Sequence, residues 1–482
     1  MITKNSKKIL VLAAILFLHI ALFGQTTALP PSNFGDADAG TVENPYLIAN
    51  LANLRWLSES PDVWGEVEEN EDEEYEIVSK YYFQQTANID ATETINWNEG
   101  EGFRPIGFAI INPIEDDGVA YPFVGGYDGG EFFISNLFIN PEITEDELMI
   151  TGMFGFTVLA DIYFVNLHNI NIIGGFSAGA IVGWAQNSYI LGCGATGSIS
   201  GEVYSVGGIA GQLIESSIGF CYSMVNIDVN SQISTGGLVG ALVDGGIYES
   251  FFNGTLLDEN DSFDASIGGI AGIAMFGAIE NVYIVIKEAN DNVFGFVADL
   301  TFSDISYSFW NNEISGITEG FREEIFSEIT DCFGLSTAEM KITSTYVNNG
   351  WDFDQIWTID TDKNDGYPIL RTMPDPIVNE IDKTITIPAV AQLHSNYPNP
   401  FNPTTTITFD VVSIIPIDIK IDIYNVKGQK VRSLVDGMYS AGSHSAIWNG
   451  MSDNGQSVSS GVYFYQMTTG NNTEVKRMVM MK

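Results

Sequence analysis

The sequence predicts an all-β protein, with a right-handed, parallel β-helix-like solenoid followed by a small Ig-like β-sandwich. Three observations support this fold class. Charged residues make up only 17% of the chain and glycines number 49, a composition that suits strands and turns better than amphipathic helices. A glycine-hydrophobic signature recurs at a nearly constant period in the middle of the chain. From residue 393 onward, short alternating segments are separated by Gly, Asn and Pro turns.

The first 24 residues have the pattern of a signal peptide. Lys4, Lys7 and Lys8 precede an apolar run from Ile9 to Phe23, which small Gly24 follows. The run is shorter than the roughly 20 residues that a membrane-spanning helix needs. No later segment is long and apolar enough to cross a bilayer, so we expect no transmembrane segment after signal cleavage.

The chain is strongly acidic, with a formal net charge of −43. An acidic surface repels phosphate backbones, so we expect no nucleic-acid partner. The charge is uneven, because residues 393–482 hold seven basic and six acidic side chains, whereas residues 25–392 hold nine basic and 56 acidic ones. This acidity predicts a well-solvated surface, with weak multivalent cation binding as the alternative.

The repeat signature is clearest in SAGAIVG, SVGGIAG, STGGLVG and SIGGIAG, whose last glycines are 28, 29 and 32 residues apart. Degenerate copies, GMFG and NVFG, extend the series at both ends. The six repeat glycines are Gly155, Gly183, Gly211, Gly240, Gly272 and Gly295. The residue seven places after each is large and apolar: Ile162, Ile190, Ile218, Ile247, Ile279 and Phe302. A coil of this length cannot bury an apolar face alone, so stacked coils are expected to form one core, with glycines allowing the turns.

These repeats resemble the GLUG family of bacterial exported proteins, and STGGLVG is the nearest copy. Flanking segments, including GTVENPYLIANLANLRWLS and WDFDQIWTIDTDKNDGYPILR, resemble those that accompany GLUG arrays. The predicted organisation is a signal peptide at 1–24, an N-terminal cap with first coils at 25–150, the repeat solenoid at 151–300, a closing segment at 301–371, a linker at 372–392 and a C-terminal domain at 393–482.

The C-terminal segment reads LHSNYPNPFNPTTTITFDV, IKIDIYNVKGQKVRSLVDG, AGSHSAIWNG, SVSSGVYFYQM and KRMVMMK. It resembles the type A C-terminal sorting domain of the type IX secretion system. The matching positions are Tyr397, Pro398, Asn399, Pro400, Phe401, Tyr424, Asn425, Gly428, Gln429, Trp448, Gly450, Gly461, Val462, Tyr463 and Lys482. The resemblance implies export through the inner membrane and periplasm, the type IX machinery as a partner, and an outer-membrane-surface or extracellular location. Without it, these strands would indicate only an Ig-like adhesive or structural sandwich.

Residues for catalysis are scarce. Of four histidines, His19 lies in the predicted signal peptide, and His168, His394 and His444 show no triad pattern. We therefore predict a non-enzymatic protein without a cofactor. A polysaccharide lyase or glycoside hydrolase is the alternative, because a β-helix offers a groove in which acids can converge. Asp360, Asp362, Asn364 and Gly366 suggest a Ca²⁺ loop only weakly, since Asp365 and Arg371 break the pattern.

Cys193 and Cys221 share a repeat register, so a disulfide between successive coils is one possibility and two small buried side chains the other. Cys332 completes a set too small for a disulfide framework.

The predicted function is adhesion or ligand display at the cell surface, toward a glycan or a protein. A structural surface or matrix component is a further alternative. Phe251, Phe252, Tyr307 and Trp310 are candidate glycan platforms if they are exposed. The sequence does not reveal the ligand, the anchorage or the oligomeric state.

Overall fold

The structure is a computed structural model that describes residues 25–70, 75–112, 117–142, 148–258, 265–290, 292–374, 390–412, 417–439, 442–470 and 472–481. It is mostly β, with 55% strand and 7% helix, and consists of a β-solenoid of about six turns followed by a small sheet region. The predicted fold class is confirmed at this level. The predicted signal peptide at 1–24 lies outside the described residues.

One side of the solenoid, here called the first face, is a seven-stranded parallel sheet. Each coil from Phe154 onward contributes one strand, and successive strands pair in register, Phe154 with Val182 and Val182 with Ala210. The strands are Phe154–Val158, Val182–Gln186, Ala210–Ile214, Val239–Val243, Ala271–Met275, Val297–Thr301 and Phe321–Ile325.

Two further faces belong to one large sheet. The second face comprises Tyr46–Ile48, Tyr82–Gln85, Gly126–Asp128, Asp161–Tyr163, Tyr189–Leu191, Ser217–Gly219, the beginnings of Gly246–Asp258 and Ala278–Ala289, then Asp304–Ser306 and Glu328–Thr330. The third face comprises Ile89–Asp90, Phe133–Ser135, Asn166–Ile173, Gly194–Gly207, Tyr222–Gly236, the ends of the same two long strands, Phe309–Asn311 and Phe333–Leu335. Four shorter strands also belong to this sheet: Phe138–Ile139, Leu148–Thr151, Ser177–Gly179 and Ser266–Gly268. The antiparallel pair Phe108–Asn112 and Asp117–Tyr121 joins it through Leu148–Thr151.

The N-terminal region carries the helix Leu51–Ser58, which begins where the Asn50 side chain accepts a hydrogen bond from the Asn53 amide at 3.1 Å. The same N-terminal region contains two antiparallel strand pairs, Glu66–Glu69 with Tyr75–Ser79 and Phe108–Asn112 with Asp117–Tyr121. Short 3₁₀ turns occupy Pro61–Val63, Thr92–Asn96 and Asn98–Gly100. The second-face ladder runs from Tyr46 through Phe83 and Tyr127 to Ile162, so coils begin well before the glycine repeats.

Like residues stack in the core, as the repeat register predicted. Ile162, Ile190, Ile218, Ile247 and Ile279 are consecutive partners and all are fully buried. Each coil therefore covers the apolar edge of the coil before it, and burial accumulates along the axis.

The last predicted repeat copy was placed in the wrong register. Ala271 pairs with Val297, so the structural counterpart of Gly272 is Ala298 and not Gly295. Ile279 accordingly pairs with Ile305, whereas Phe302 lies outside the core at a corner. The coil that begins at Ala271 is shorter than its predecessors, and the NVFG segment resembled the repeat without sharing its position.

The repeat glycines also act differently from the expectation that they form corners. Gly183, Gly211, Gly240 and Gly272 lie second in their first-face strands. A Cβ atom at Gly240 would lie 2.5 Å from the Gly211 carbonyl oxygen and 2.7 Å from the Val206 amide nitrogen. The glycines are needed because neighbouring backbone approaches closely.

The corners between the first and second faces are formed by non-glycine residues whose backbone is in the left-handed region. They are Leu159, Asn187, Glu215, Asp244, Phe276, Phe302 and Phe326. Each donates its amide to the next coil where a next coil exists, as Phe302 does to the Ile325 carbonyl at 2.8 Å. Hydrogen bonding between coils thus holds the corner conformation that glycine was expected to provide.

Residues 301–371 were expected to close the end of the array, but coil strands continue to Phe333–Leu335 and residues 339–370 fold along the side of the array. This flanking segment contains Glu339–Lys341, the short helix Thr343–Val347, the 3₁₀ turn Asn364–Gly366 and the hairpin of Trp357–Ile359 with Pro368–Leu370. Its aromatic residues pack on the third-face ladder of Tyr222, Phe251, Tyr283 and Phe309. The outward aromatic side chains of the coils made this lateral packing more favourable than an end cap.

Residues 390–481 form two antiparallel sheets around one core. The three-stranded sheet contains Val390–Leu393, Thr405–Val412 and Gly442–Trp448. The four-stranded sheet contains Lys430–Tyr439, Ile417–Asn425, Gly461–Thr469 and Asn472–Met480. Much of the predicted linker, residues 375–389, lies outside the described residues.

Candidate functional sites

The opening motif of the C-terminal domain forms a loop that joins its two sheets. Tyr397 pairs with Thr406 through two backbone hydrogen bonds of 3.0 and 2.9 Å, while its side chain is 81% exposed. Asn399 accepts a hydrogen bond from the Val479 amide at 2.9 Å. Phe401 is buried and its amide donates to the Val479 carbonyl at 3.0 Å. The predicted motif residues therefore divide into an anchored part and an exposed tyrosine.

Three aromatic residues predicted as motif positions meet in the core. The ring of Trp448 lies 5.5 Å from that of Phe401 and 5.2 Å from that of Tyr463. The Trp448 indole donates to the Met451 carbonyl at 3.0 Å, and the Tyr463 hydroxyl donates to the Ser459 carbonyl at 2.7 Å. A tryptophan in this position satisfies its one polar group while filling the space between the sheets.

The remaining motif residues shape turns. Asn425 accepts hydrogen bonds from the amides of Lys427 and Gln429 at 2.9 and 3.1 Å, which closes the hairpin after Tyr424. Gly428 and Gly450 have φ of 73° and 70°, and Gly461, with φ of 158°, begins the strand that Val462 and Tyr463 continue. Pro398 and Pro400 lie in the opening loop, and Lys482 lies outside the described residues.

The sequence motifs did not reveal the contact between this domain and the solenoid. The Tyr248 hydroxyl donates to an Asp410 carboxylate oxygen at 2.6 Å, and both side chains are buried. Nε2 of His394 lies 3.0 Å from the same oxygen. Burial alone would lower the pKa of His394, but the neighbouring Asp410 carboxylate raises it above the ordinary value.

Acidic groups dominate this interface. Burial and, to a smaller extent, the adjacent Glu474 raise the pKa of Glu280 to about 7, while Lys476 and His394 oppose the increase. Burial likewise raises the pKa values of Glu474 and Asp244. Proton uptake by these carboxyl groups therefore favours the docked arrangement.

A polar cavity of about 370 Å³ adjoins the interface. It lies between the coils and the flanking segment and is lined by Glu280, Asn281, Tyr307, Asp331, Asn348, Asn349 and Gly350. The side-chain amide nitrogen of Asn281 donates to the Glu249 carboxylate at 2.7 Å. The side-chain carbonyl oxygen of Asn281 is buried without a partner. Burial raises the pKa of Glu249 to about 8, although hydrogen bonds from Trp357 and Asn281 lower it.

Other candidate positions remain apart from this cavity. His168 is exposed and its Nδ1 lies 3.2 Å from the Thr196 hydroxyl. Asp360 accepts from the Asp362 amide at 3.0 Å within a turn. Asn364 donates to the Tyr283 hydroxyl at 2.6 Å, which ties the suggested Ca²⁺ loop to the solenoid. Among the described residues, no group of three or more His, Cys, Asp or Glu side chains could hold a metal ion.

The three cysteines are free thiols. Cys193 and Cys221 are buried in neighbouring coils, and their Sγ atoms lie within 3.5 Å of the Leu191 and Gly219 carbonyl oxygens. Burial raises the pKa of Cys193, so these residues behave as small core side chains.

The aromatic residues proposed as exposed platforms are not exposed. Phe251, Phe252 and Trp310 are buried, and Tyr307 is half-buried at the cavity. The exposed aromatic side chains in this part of the molecule are instead those of Phe276, Phe302, Phe326 and Phe333. Phe252 and Trp310 face the solenoid core, while Phe251 and Tyr307 pack with the flanking segment. A sequence pattern without the fold could not distinguish these positions from the exposed ones.

Comparison with known proteins gives partial matches. Halomucin from Haloquadratum walsbyi is 32% identical over 175 residues, which is 36% of this chain and 2% of halomucin. Dimeric latent PorU from Porphyromonas gingivalis overlaps 24% of this chain and 10% of its own, at 18% identity and a TM-score of 0.19. An IgA1 protease overlaps 60% of this chain and 20% of its own, at 17% identity and a TM-score of 0.39. The chain thus spans a small part of each protein, and structural overlaps of this size do not define a common fold.

PorZ, a surface component of the type-IX secretion system of Porphyromonas gingivalis, overlaps 19% of this chain and 11% of its own, at 21% identity and a TM-score of 0.14. In the described part of the chain, no helix has the length and apolar character required to cross a membrane. A family model described as "Secretion system C-terminal sorting domain" matches residues 395–481. The C-terminal sandwich is therefore a type IX secretion sorting domain, and the chain is exported to the cell surface or the extracellular space.

Proposed function

We propose that the solenoid is a non-enzymatic adhesion or ligand-display module, which the sorting domain delivers to the cell surface. The observation that carries this proposal is the stacking of equivalent positions. Each corner position recurs in successive coils, so the solenoid presents rows of side chains on a rigid frame. Stacked-repeat proteins use such extended surfaces for binding.

Charge and chemistry favour binding over turnover. The body of the chain supplies few basic side chains, and His168 lies on the surface beside Thr196 rather than beside an acid pair. The rows of exposed side chains are spread along the axis, which suits multivalent contact with an extended ligand.

The test compares attachment of host cells that lack the chain with cells that carry the full chain. We expect deletion to reduce attachment to polysaccharide-coated or cell-coated surfaces, and the full chain to restore it. A chain truncated after Ala391, which lacks the sorting domain, is the matched control, because it supplies the solenoid without surface delivery. Unchanged attachment in the deletion strain, with the chain verified on the surface of the parent strain, would contradict the proposal.

A second candidate function is glycan hydrolysis or cleavage, favoured by the cavity beside Glu280 and Asp331. A carboxyl group with a pKa of about 7 is suited to act as a general acid near neutral pH. Release of reducing ends or unsaturated products from a polysaccharide panel, with Ca²⁺ supplied, would support it. Loss of that product in Glu280→Gln, with retention in Glu43→Gln, an exposed glutamate near the N-terminal coils, would locate the reaction in the cavity.

A further inference from the structure

Three phenylalanine rings form a row on the outside of the solenoid. Phe276, Phe302 and Phe326 occupy the same corner position in the last three coils, and they are 56%, 49% and 83% exposed. Their ring centroids are 5.3 and 5.1 Å apart, with interplanar angles of 1° and 13°. They form an aromatic ladder that follows the solenoid axis.

Two unfavourable features coincide at each ring. The backbone φ values are 55°, 49° and 52°, a left-handed conformation that bulky residues rarely adopt. The side chains also leave apolar surface in water that burial would remove. Earlier coils place Asn187, Glu215 and Asp244 at this corner, so the fold accepts polar residues there. The position itself does not require phenylalanine, and a contiguous exposed apolar patch marks an interaction site.

We infer that the ladder of Phe276, Phe302 and Phe326 is a binding surface for an extended, neutral polysaccharide, whose sugar rings pack against the aromatic rings. This inference rests on the proposed ligand-display function and names its ligand class and site.

The spacing of the ladder favours a polysaccharide over an extended peptide. Side chains on one face of an extended peptide recur about every 6.7 Å, since each residue advances about 3.3–3.4 Å. The aromatic rings recur at 5.3 and 5.1 Å, and this mismatch accumulates along the row. The three rings are stacked on one another, so a linear glycan would lie along the outer side of the stack with the apolar faces of its sugar rings turned toward it.

The net charge of the chain further restricts the class of polysaccharide that can bind. The chain has a formal net charge of −43, which disfavours polyanionic glycans and also a second copy of the chain. Asp304 and Glu328 begin the second-face strands two residues after Phe302 and Phe326. Glu328 is exposed, so its carboxylate is available to accept hydrogen bonds from sugar hydroxyl groups near the last ring, whereas Asp304 is half-buried and acts on His394 of the sorting domain.

The experiment replaces the ladder with the residue that an earlier coil already uses. The triple variant Phe276→Asn, Phe302→Asn, Phe326→Asn introduces the side chain of Asn187 at each corner, and asparagine tolerates the left-handed backbone. Leu159→Asn is the matched control, because it introduces the same asparagine at the same corner position, six coils away from Phe326. Binding of the full chain to cellohexaose, chitohexaose and laminarihexaose is measured by calorimetry, alongside polygalacturonate and a peptide of alternating Lys and Leu.

The expected result is that at least one neutral oligosaccharide binds, that the triple variant binds it about tenfold or more weakly, and that Leu159→Asn binds it normally. If circular dichroism shows that the triple variant is misfolded, Phe326→Asn in the last coil replaces it with the same expectation of weaker binding. Equal affinity in the folded ladder variant, or binding of only polygalacturonate or the peptide, would overturn the inference.

The adhesion test separates this inference from the proposed function. Cells carrying the ladder variant that still attach fully would show that display is correct and that the ladder is not the site. Loss of attachment in the deletion strain together with loss in the ladder variant would support both.

Discussion

The solenoid and the sorting domain bury their cores in different ways. In the solenoid, parallel strands stack equivalent residues such as Ile190, Ile218 and Ile247, and each coil contacts mainly its neighbours. In the sorting domain, antiparallel strands enclose one core in which Phe401, Trp448 and Tyr463 meet at a single place. Stability is therefore distributed along the solenoid but concentrated in the sandwich. The same severity of change should unfold the sandwich as a whole and damage the solenoid only locally.

The largest expected effect is from Trp448→Ala. Removing this buried side chain from a small single core should cost about 3–5 kcal/mol of the sorting domain's free energy of unfolding. We expect this domain to unfold and export to fail, while the solenoid retains its strand signal. Fractionation followed by mass spectrometry measures export, and hydrogen exchange measures whether the sorting domain and the solenoid are each folded. Ile447→Ala, at an adjacent residue with a 64% exposed side chain, is the control and should change stability by less than about 0.5 kcal/mol. Normal export of Trp448→Ala would contradict the assignment.

A smaller and more local effect is expected from Gly240→Ala. The added Cβ atom would overlap the Gly211 carbonyl and the Val206 amide, so the backbones must separate at a cost of about 1–3 kcal/mol. Hydrogen exchange should increase in the coils around residue 240 and remain slow near Phe154. Gly437→Ala is the control, because only Tyr439 lies near its added Cβ atom, at 3.9 Å. Uniform loss of protection through all coils would show that the solenoid unfolds as one cooperative unit.

Tyr248→Phe tests the contact between the two regions. The change removes the hydroxyl that donates to buried Asp410, and loss of a hydrogen bond to a charged group should weaken docking by roughly 1.5–3 kcal/mol. We expect both cores to stay folded while hydrogen exchange increases around Tyr248 and Asp410. Tyr204→Phe, where the ring packs on Phe176, provides a comparison within the solenoid. Unchanged exchange at the interface would show that the Tyr248 hydroxyl does not stabilise docking.

The smallest effect is a dependence of docking on pH. Burial raises the pKa of Glu280 from 4.5 to about 7, with a further contribution from Glu474 in the sorting domain. The part of this shift that docking causes makes the docked state bind the proton more tightly. The penalty for burying the charged carboxylate is complete above pH 7 and declines as pH falls toward 4.5. The raised pKa of His394 does not add to this dependence, because the Asp410 carboxylate that raises it lies in the same domain, whereas burial lowers it.

Small-angle scattering and interface hydrogen exchange at several pH values measure this dependence. Docking should be tighter in mild acid than above neutrality, and Glu280→Gln should flatten the profile. Glu328→Gln, an exposed carboxyl in the last coil, is the control. Tighter docking at alkaline pH would be opposite to the predicted direction, and it would exclude protonation of Glu280 as the cause of the pH dependence.

The fold could be predicted from sequence where local pattern and stacking agree. The recurring glycines and the isoleucines seven residues later indicated the solenoid, because each coil repeats the same burial problem. The motif from Tyr397 to Phe401, with Trp448 and Tyr463, identified the sorting domain because its turns and core require those residue types. The register failed at Gly295, where a shorter coil moved the equivalent position to Ala298.

The sequence by itself determined the all-β architecture, the strongly acidic body and the domain that directs export. Only the tertiary structure decided that residues 339–370 cover the third face, that Asp410 meets Tyr248, and that Phe276, Phe302 and Phe326 align in the open. These features depend on contacts between residues far apart in the chain. A periodic pattern shows which side chains face the core, whereas exposure on the outer surface depends on which other segments fold back over it.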